Sequence, residues 1–142
     1  MNKDFEILPH PSDVRVRAFG KTKEELFTNA MKGMSAVLQS RAISNSKQAI
    51  RNIKMKSVDF NALLVDFLSE VLYLIQTNKE IYNEIKFEKF GPSTSSGQIA
   101  LEAELFGNKV ESFGEDIKAV THHNLKIENK NNLYEATILF DI

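Results

Sequence analysis

Between Asp59 and Thr77 the chain has only one plausible way to fold. Leu63, Leu64, Phe67, Leu68, Val71, Leu72, Leu74 and Ile75 recur at helical spacing and merge into a wide apolar stripe, while Asp66, Glu70 and Tyr73 gather on another side. A helix with such a stripe has to bury it. An earlier segment makes the same demand. Thr22-Lys23-Glu24-Glu25 has the spacing of a capping box, and Leu26, Phe27, Ala30, Met31, Met34, Val37 and Leu38 follow at helical intervals, so a first helix is expected over about Lys23–Leu38. Both helices need a surface to lie on.

That surface is written in alternation. From residue 13 to 19, Val14, Val16 and Ala18 point one way and Asp13, Arg15 and Arg17 the other, with Gly20 as a break. Phe5–Leu8 reads as a partner strand joined through the Pro-containing turn at residues 9 to 12. Further strands are expected at Ala49–Lys56, Glu84–Phe90, Ile99–Leu105, Lys118–Thr121, Leu125–Ile127 and Tyr134–Ile142. The loops fall at Ser40–Ser46, at 91–97 as a hairpin tip, at Gly107–Gly114 and at the turn Asn129–Asn132. In the last strand Tyr134, Ala136, Ile138, Phe140 and Ile142 face one way, and Glu135, Thr137, Leu139 and Asp141 the other. The expectation is a single α+β domain over residues 1–142, with two long helices packed on a mixed, largely antiparallel sheet of unspecified strand order.

Composition narrows the chemistry. With no cysteine, disulfides, thiolate nucleophiles and sulfur-bound zinc are excluded, and any metal must be held by oxygen or imidazole. A formal net charge of −1 gives no general attraction to phosphate backbones. One segment departs from this balance: Arg41, Lys47, Arg51, Lys54 and Lys56 lie between Val37 and Val58 with no acidic residue among them, which makes either a solvated strand face or an RNA contact. The N-terminus lacks the apolar run of a signal peptide and no stretch is expected to cross a bilayer, so the sequence reads as a soluble cytoplasmic protein without membrane partners. There is no Gly-rich phosphate loop, nucleophile elbow or metal-spaced His pair.

Candidate polar sites are few. Asp13 stands at the mouth of a strand, just after the Pro-flanked His10, where a loop meets a rigid scaffold. An ion pair with a neighbouring arginine is the competing role. Asp66 and Glu70, four apart on a helix, repel each other unless a cation lies between them. Near a metal they would suit the acid and base of a hydrolase acting on nucleotides or phosphoesters.

Four segments in order carry a resemblance. They are His10-Pro11-Ser12-Asp13-Val14 leading to Phe19-Gly20-Lys21-Thr22 and Glu25; Leu63-Leu64-Val65-Asp66-Phe67-Leu68-Ser69-Glu70-Val71-Leu72-Tyr73-Leu74; Ile117-Lys118-Ala119-Val120-Thr121-His122-His123-Asn124-Leu125; and the closing Leu139-Phe140-Asp141-Ile142. In these the chain resembles the archease family, with Pro11 and Ser12 where the family usually has Thr and Ala. The resemblance implies an accessory protein rather than an enzyme. Its partner would be the GTP-dependent RNA ligase that seals ends bearing a 3′-phosphate or 2′,3′-cyclic phosphate, with RNA reached through the ligase. It also implies a divalent metal, calcium, on Asp13, Asp141 and the carboxylate of Ile142, with Lys118 and His123 nearby in function. The donor chemistry agrees, since calcium and magnesium take hard oxygen ligands and three carboxylates meeting at one spot call for a cation. His122 and His123, side by side in an extended segment, would point apart and could not grip one ion. Besides the ligase activator and the hydrolase, an RNA-binding or chaperone-like module is a third reading.

Overall fold

The computed structural model describes residues 3–9, 11–94 and 96–142. In chain order the elements are β1 (Phe5–Pro9), β2 (Asp13–Gly20), α1 (Lys23–Leu38), β3 (Ser40–Ala42), β4 (Gln48–Ser57), α2 (Phe60–Asn78), β5 (Glu80–Pro92), β6 (Ile99–Phe113), β7 (Ala119–Val120), β8 (Glu128–Lys130) and β9 (Leu133–Asp141). The α+β class is as the periodicities require. The strands divide between two sheets instead of forming one. One sheet runs β1-β2-β9-β7 with β8 also on β9, and the other runs β3-β6-β4 with β5 also on β6. Every pairing among the described residues is antiparallel.

The helices begin where capping chemistry places them. Thr22 Oγ1 accepts the Glu25 N–H at 3.1 Å, and Glu25 Oε1 reaches back to the Lys21 N–H at 3.2 Å, one residue earlier than the usual reciprocal bond. Asp59 caps α2 by accepting the Ala62 N–H at 2.8 Å. Each helix ends on a left-handed residue, Gln39 and Lys79. All seven apolar positions expected in α1 are buried, as is the α2 stripe except for the half-buried Leu74. Phe27 of α1 meets Phe67 of α2 with ring centroids 5.4 Å apart, and Phe90 of β5 packs edge-on against Phe27 at 4.9 Å. The helices and the inner faces of both sheets therefore share one core.

Phe60–Asn78 is long and apolar enough to cross a bilayer, contrary to the sequence reading. Its stripe is instead spent on the core: Leu63, Leu64, Phe67, Leu68, Val71 and Ile75 are fully buried among the other elements.

Strand limits differ more. Gly107–Gly114 is not a loop, because β6 continues to Phe113 and pairs with β3, itself expected to be loop. The reason is a solvent-facing edge whose polar residues look like loop composition. β5 begins at Glu80, four residues early, and Leu125–Ile127 forms no strand; the Ile127 N–H is instead bonded to Asn61 Oδ1 of α2 at 2.9 Å. Gly107 lies opposite Tyr82, where the β5 register shifts, and a Cβ there would collide with the Ile81 carbonyl.

The early start of β5 seats a charge in the interior. Glu80 is 1% exposed and takes the Arg51 guanidinium on both oxygens, at 2.9 and 2.8 Å, while Tyr82 donates its hydroxyl at 2.6 Å. Lys109 Nζ lies 3.8 Å away. The Arg51 hydrogen bonds hold the Glu80 carboxyl below its ordinary value of 4.5 despite the opposing effect of burial. Burial foremost, then the Glu80 bond, pushes the Tyr82 hydroxyl up to about 12. A carboxyl with a lowered folded pKa stabilises the fold above its unfolded value and loses that contribution as pH falls through the folded one. Glu80→Gln is thus expected to be less stable than wild type at pH 7, with the gap closing as pH drops below about 4.5. Urea unfolding of both proteins across that range checks it, and a gap that stays constant would contradict it.

Candidate functional site

The candidate site is built by strand register. β2 pairs with β9 along the whole of Asp13–Gly20, so Asp13 stands directly opposite Asp141 and Val14 opposite Phe140. Ala119 of β7 flanks Asp141 on its other side. Val14, Val16, Ala18, Ala136, Ile138 and Phe140 are buried, which fixes the face shared by Asp13 and Asp141 as the outer one. Directly opposed residues of an antiparallel pair lie about 4.5–5.5 Å apart at Cα, close enough for the two carboxylates to act on one ligand.

The end of the chain is held in place. The Lys118 N–H donates to the Asp141 carbonyl at 2.7 Å, and Ile142 packs against the core. Asp13 Oδ1 is screened from solvent. Lys118 is exposed at the start of β7. His10 lies outside the described residues.

His123 arrives from a different direction than an extended segment would bring it. The Thr121 N–H bonds the Leu139 carbonyl at 3.0 Å, continuing the β7–β9 ladder, and the chain then turns. In that turn the Leu125 N–H bonds the His122 carbonyl at 3.1 Å, Asn124 takes a left-handed φ of 52°, and the Asn124 amide meets His123 Nε2 at 3.2 Å. His122 and His123 are both exposed, and His123 and Asn124 roof an open pocket of about 130 Å³ floored by Arg15, Thr137 and Leu139. This pocket lies one row along the same face from Asp13 and Asp141. The sequence reading missed Asn124 and Thr137 and did not set Arg15 beside His123. Asn before an apolar residue after a short strand signals the turn, but only the pairing register shows what the turn covers.

The other candidates lie apart from this cluster. Asp66 accepts the Ser57 hydroxyl at the end of β4, and Glu70 is exposed. Neither joins the Asp13–Asp141 pair, since no three His, Cys, Asp or Glu side chains form a metal-sized group among the described residues. Within the basic segment Arg51 is committed to Glu80, while Lys54 and Lys56 line an open groove with Lys89 and Glu102.

Among the described residues, the carboxylates of Asp13 and Asp141 offer oxygen donors at the β2–β9 end, and these fit a hard divalent ion. The fit is to two side-chain carboxylates supplemented by main-chain oxygen and water, not to a cage of protein side chains.

Fold and site together define a small α+β domain, helices on one side of paired antiparallel sheets, with an acidic pair on an open sheet face. The archease protein family (MTH1598/TM1083) matches residues 5–142, and the chain belongs to that family. It is 33% identical to the protein archease of Methanosarcina barkeri over 99% of this chain and 97% of that protein. It is 30% identical to the archease of Sulfurisphaera tokodaii over 97% and 98%. Among solved structures, protein 1598 of Methanobacterium thermoautotrophicum superposes with a TM-score of 0.75 at 27% identity, covering 98% of this chain and 99% of that one. An archease of Thermotoga maritima, described as a possible chaperone, shares the fold with a TM-score of 0.66 at 19% identity, over 100% and 98%.

Like charges set directly opposite on one face destabilise a sheet by roughly 0.2–1 kcal/mol. Asp141→Asn is therefore expected to raise stability by about that amount in EDTA and to remove any stabilisation by added calcium. Thermal unfolding with and without calcium reads both effects, and a variant less stable than wild type in EDTA would count against a repulsive pair.

Proposed function

We propose that this protein is an accessory factor of a GTP-dependent RNA ligase, the enzyme that joins RNA ends bearing a 3′-phosphate or 2′,3′-cyclic phosphate in tRNA splicing or RNA repair. It promotes guanylylation of the ligase and so allows repeated turnover, without a reaction of its own. The observation that carries this reading is the register of Asp13 opposite Asp141 in a chain that matches the archease family over residues 5–142. An acidic pair on an open sheet face, with Lys118 exposed beside it, suits a surface that presents a cation to another protein.

Asp13 and Asp141, with the carboxylate of Ile142, would hold a divalent ion, calcium by the family's pattern. That ion supplies positive charge at a surface otherwise dominated by carboxylates. The chain's own residues do the rest: the β2–β9 ladder orients the two carboxylates, and the Lys118 main chain fixes the Asp141 backbone. The hydrolase reading loses its motivation, because Asp66 is bonded to Ser57 and is not grouped with the acidic pair.

Substoichiometric addition of the purified protein to a ligase from the same source is expected to convert a single round of joining into many. No stimulation would overturn the assignment. Asp13→Ala should keep the fold, lose calcium binding by calorimetry and lose stimulation; calcium affinity equal to wild type would remove Asp13 from the ligand set. Residues appended after Ile142 should act the same way, since an amide replaces the carboxylate.

A further inference from the structure

The outer face of the β2–β9 ladder carries two arginines with different surroundings. Arg17 has a counter-ion, Glu6 of β1, at 3.8 Å. Arg15, two residues closer to Asp13, faces Leu8 and Leu139 across the sheet and has no ion-pair or hydrogen-bond partner among the described residues. Its guanidinium instead contributes to the pocket of about 130 Å³ roofed by His123 and Asn124. The lining offers a guanidinium, an imidazole, a carboxamide and the Thr137 hydroxyl, and it contains no carboxylate. The His123 main-chain N–H is tied to the Thr121 hydroxyl at 3.3 Å and Asn124 is held in its left-handed turn, so the roof is set by local bonds. The Asn124 side-chain amide lies 3.2 Å from His123 Nε2, which ties the two roof side chains together.

We infer that Arg15, His123, Asn124 and Thr137 form a binding site for a single phosphoryl group. The set is donor-rich, and an arginine fork matches two oxygens of a phosphate at once. The volume admits a phosphoryl group, and the donors of the lining match the phosphate end of a nucleotide. Position adds a coupling. The pocket lies one row, about 7 Å, along the strands from Asp13 and Asp141. Without a bound cation, those carboxylates oppose an anion, whereas a divalent ion held between them would reverse the sign of the local field. Phosphate binding itself does not require the metal; only this coupling rests on the reading given under Proposed function.

The test is an amide and Arg-side-chain NMR titration of the full chain with inorganic phosphate in EDTA. Saturable shifts are expected at Arg15 Nε–H and at the amides of His123, Asn124 and Leu139. Arg15→Gln should weaken binding at least about tenfold, the loss of one charge-assisted hydrogen bond, with Arg15→Lys falling between. His123→Ala, on the roof, should weaken it independently of any effect on the strand. Shifts scattered over the lysines, unsaturable and indifferent to Arg15→Gln, would mean an adventitious ion only and would overturn the site. AMP and adenosine separate the phosphate sources. AMP equal to phosphate with adenosine silent means that the phosphoryl group is all that is read, AMP tighter than phosphate means that a nucleotide supplies it, and adenosine equal to AMP overturns the inference. Repeating the titration with magnesium separates the two readings. A gain in phosphate affinity that Asp141→Asn abolishes supports the coupling, while Arg15-dependent binding in EDTA with no gain on adding magnesium keeps the pocket and overturns the coupling.

Discussion

The antiparallel ladder between β2 and β9 joins the beginning of this chain to its end, and every polar feature of interest hangs on its register. Asp13 and Asp141 are 128 residues apart (141 − 13) yet directly opposed. A slip of one residue by β2 would turn Val14 and Val16 outward, and the same slip by β9 would turn out Ile138 and Phe140. The core therefore specifies the site. The repulsion between the two aspartates, worth at most about 1 kcal/mol, cannot compete with burial of even two such side chains at roughly 1.5–3 kcal/mol each. Sequence can thus place two carboxylates where electrostatics alone would separate them.

The second sheet uses its polar chemistry differently. Glu80 is as buried as a core leucine, but its oxygens are occupied by Arg51 and Tyr82, so the charge is matched within the protein. This arrangement ties the start of β5 to the middle of β4 and is structural. Asp13 and Asp141 sit on an outer face, brought together by main-chain register. The contrast separates a carboxylate that completes the fold from a pair available to a ligand.

The sequence was most legible where a local rule acts alone. Both helices are readable, first residue and last within one position, because 3.6-residue periodicity and the capping box at Thr22 are local signals. The outer and inner faces of β2 and β9 were equally plain from alternation. Illegible were the extents of strands with mixed or polar faces, such as β6 beyond Gly107, and the short β3, whose existence depends on a partner distant in sequence. Division into two sheets is likewise invisible to periodicity, because alternation states which face is buried and not which strand lies alongside. Asp13 and Asp141 were singled out through resemblance, but their pairing is a property of the register. The pocket at Arg15 was beyond sequence reasoning for the same reason, since Arg15, Thr137 and Asn124 meet only after three segments have been placed.

A shared face also gives the polar groups an order. Reading along β2 from its start, the outer positions run Asp13, Arg15, Arg17; along β9 in the opposite direction they run Asp141, Leu139, Thr137. The acidic pair comes first and the arginines follow, with the His123 turn closing over Arg15. Arg17 has Glu6 as a counter-ion, so in the row next to the acidic pair it is Arg15 that offers its guanidinium to a ligand. A cation beside the first row and an anion beside the second would each stabilise the other, and they would leave the face close to neutral. Neither carboxylate pair nor arginine achieves that balance alone, which is why the two rows make physical sense as a unit.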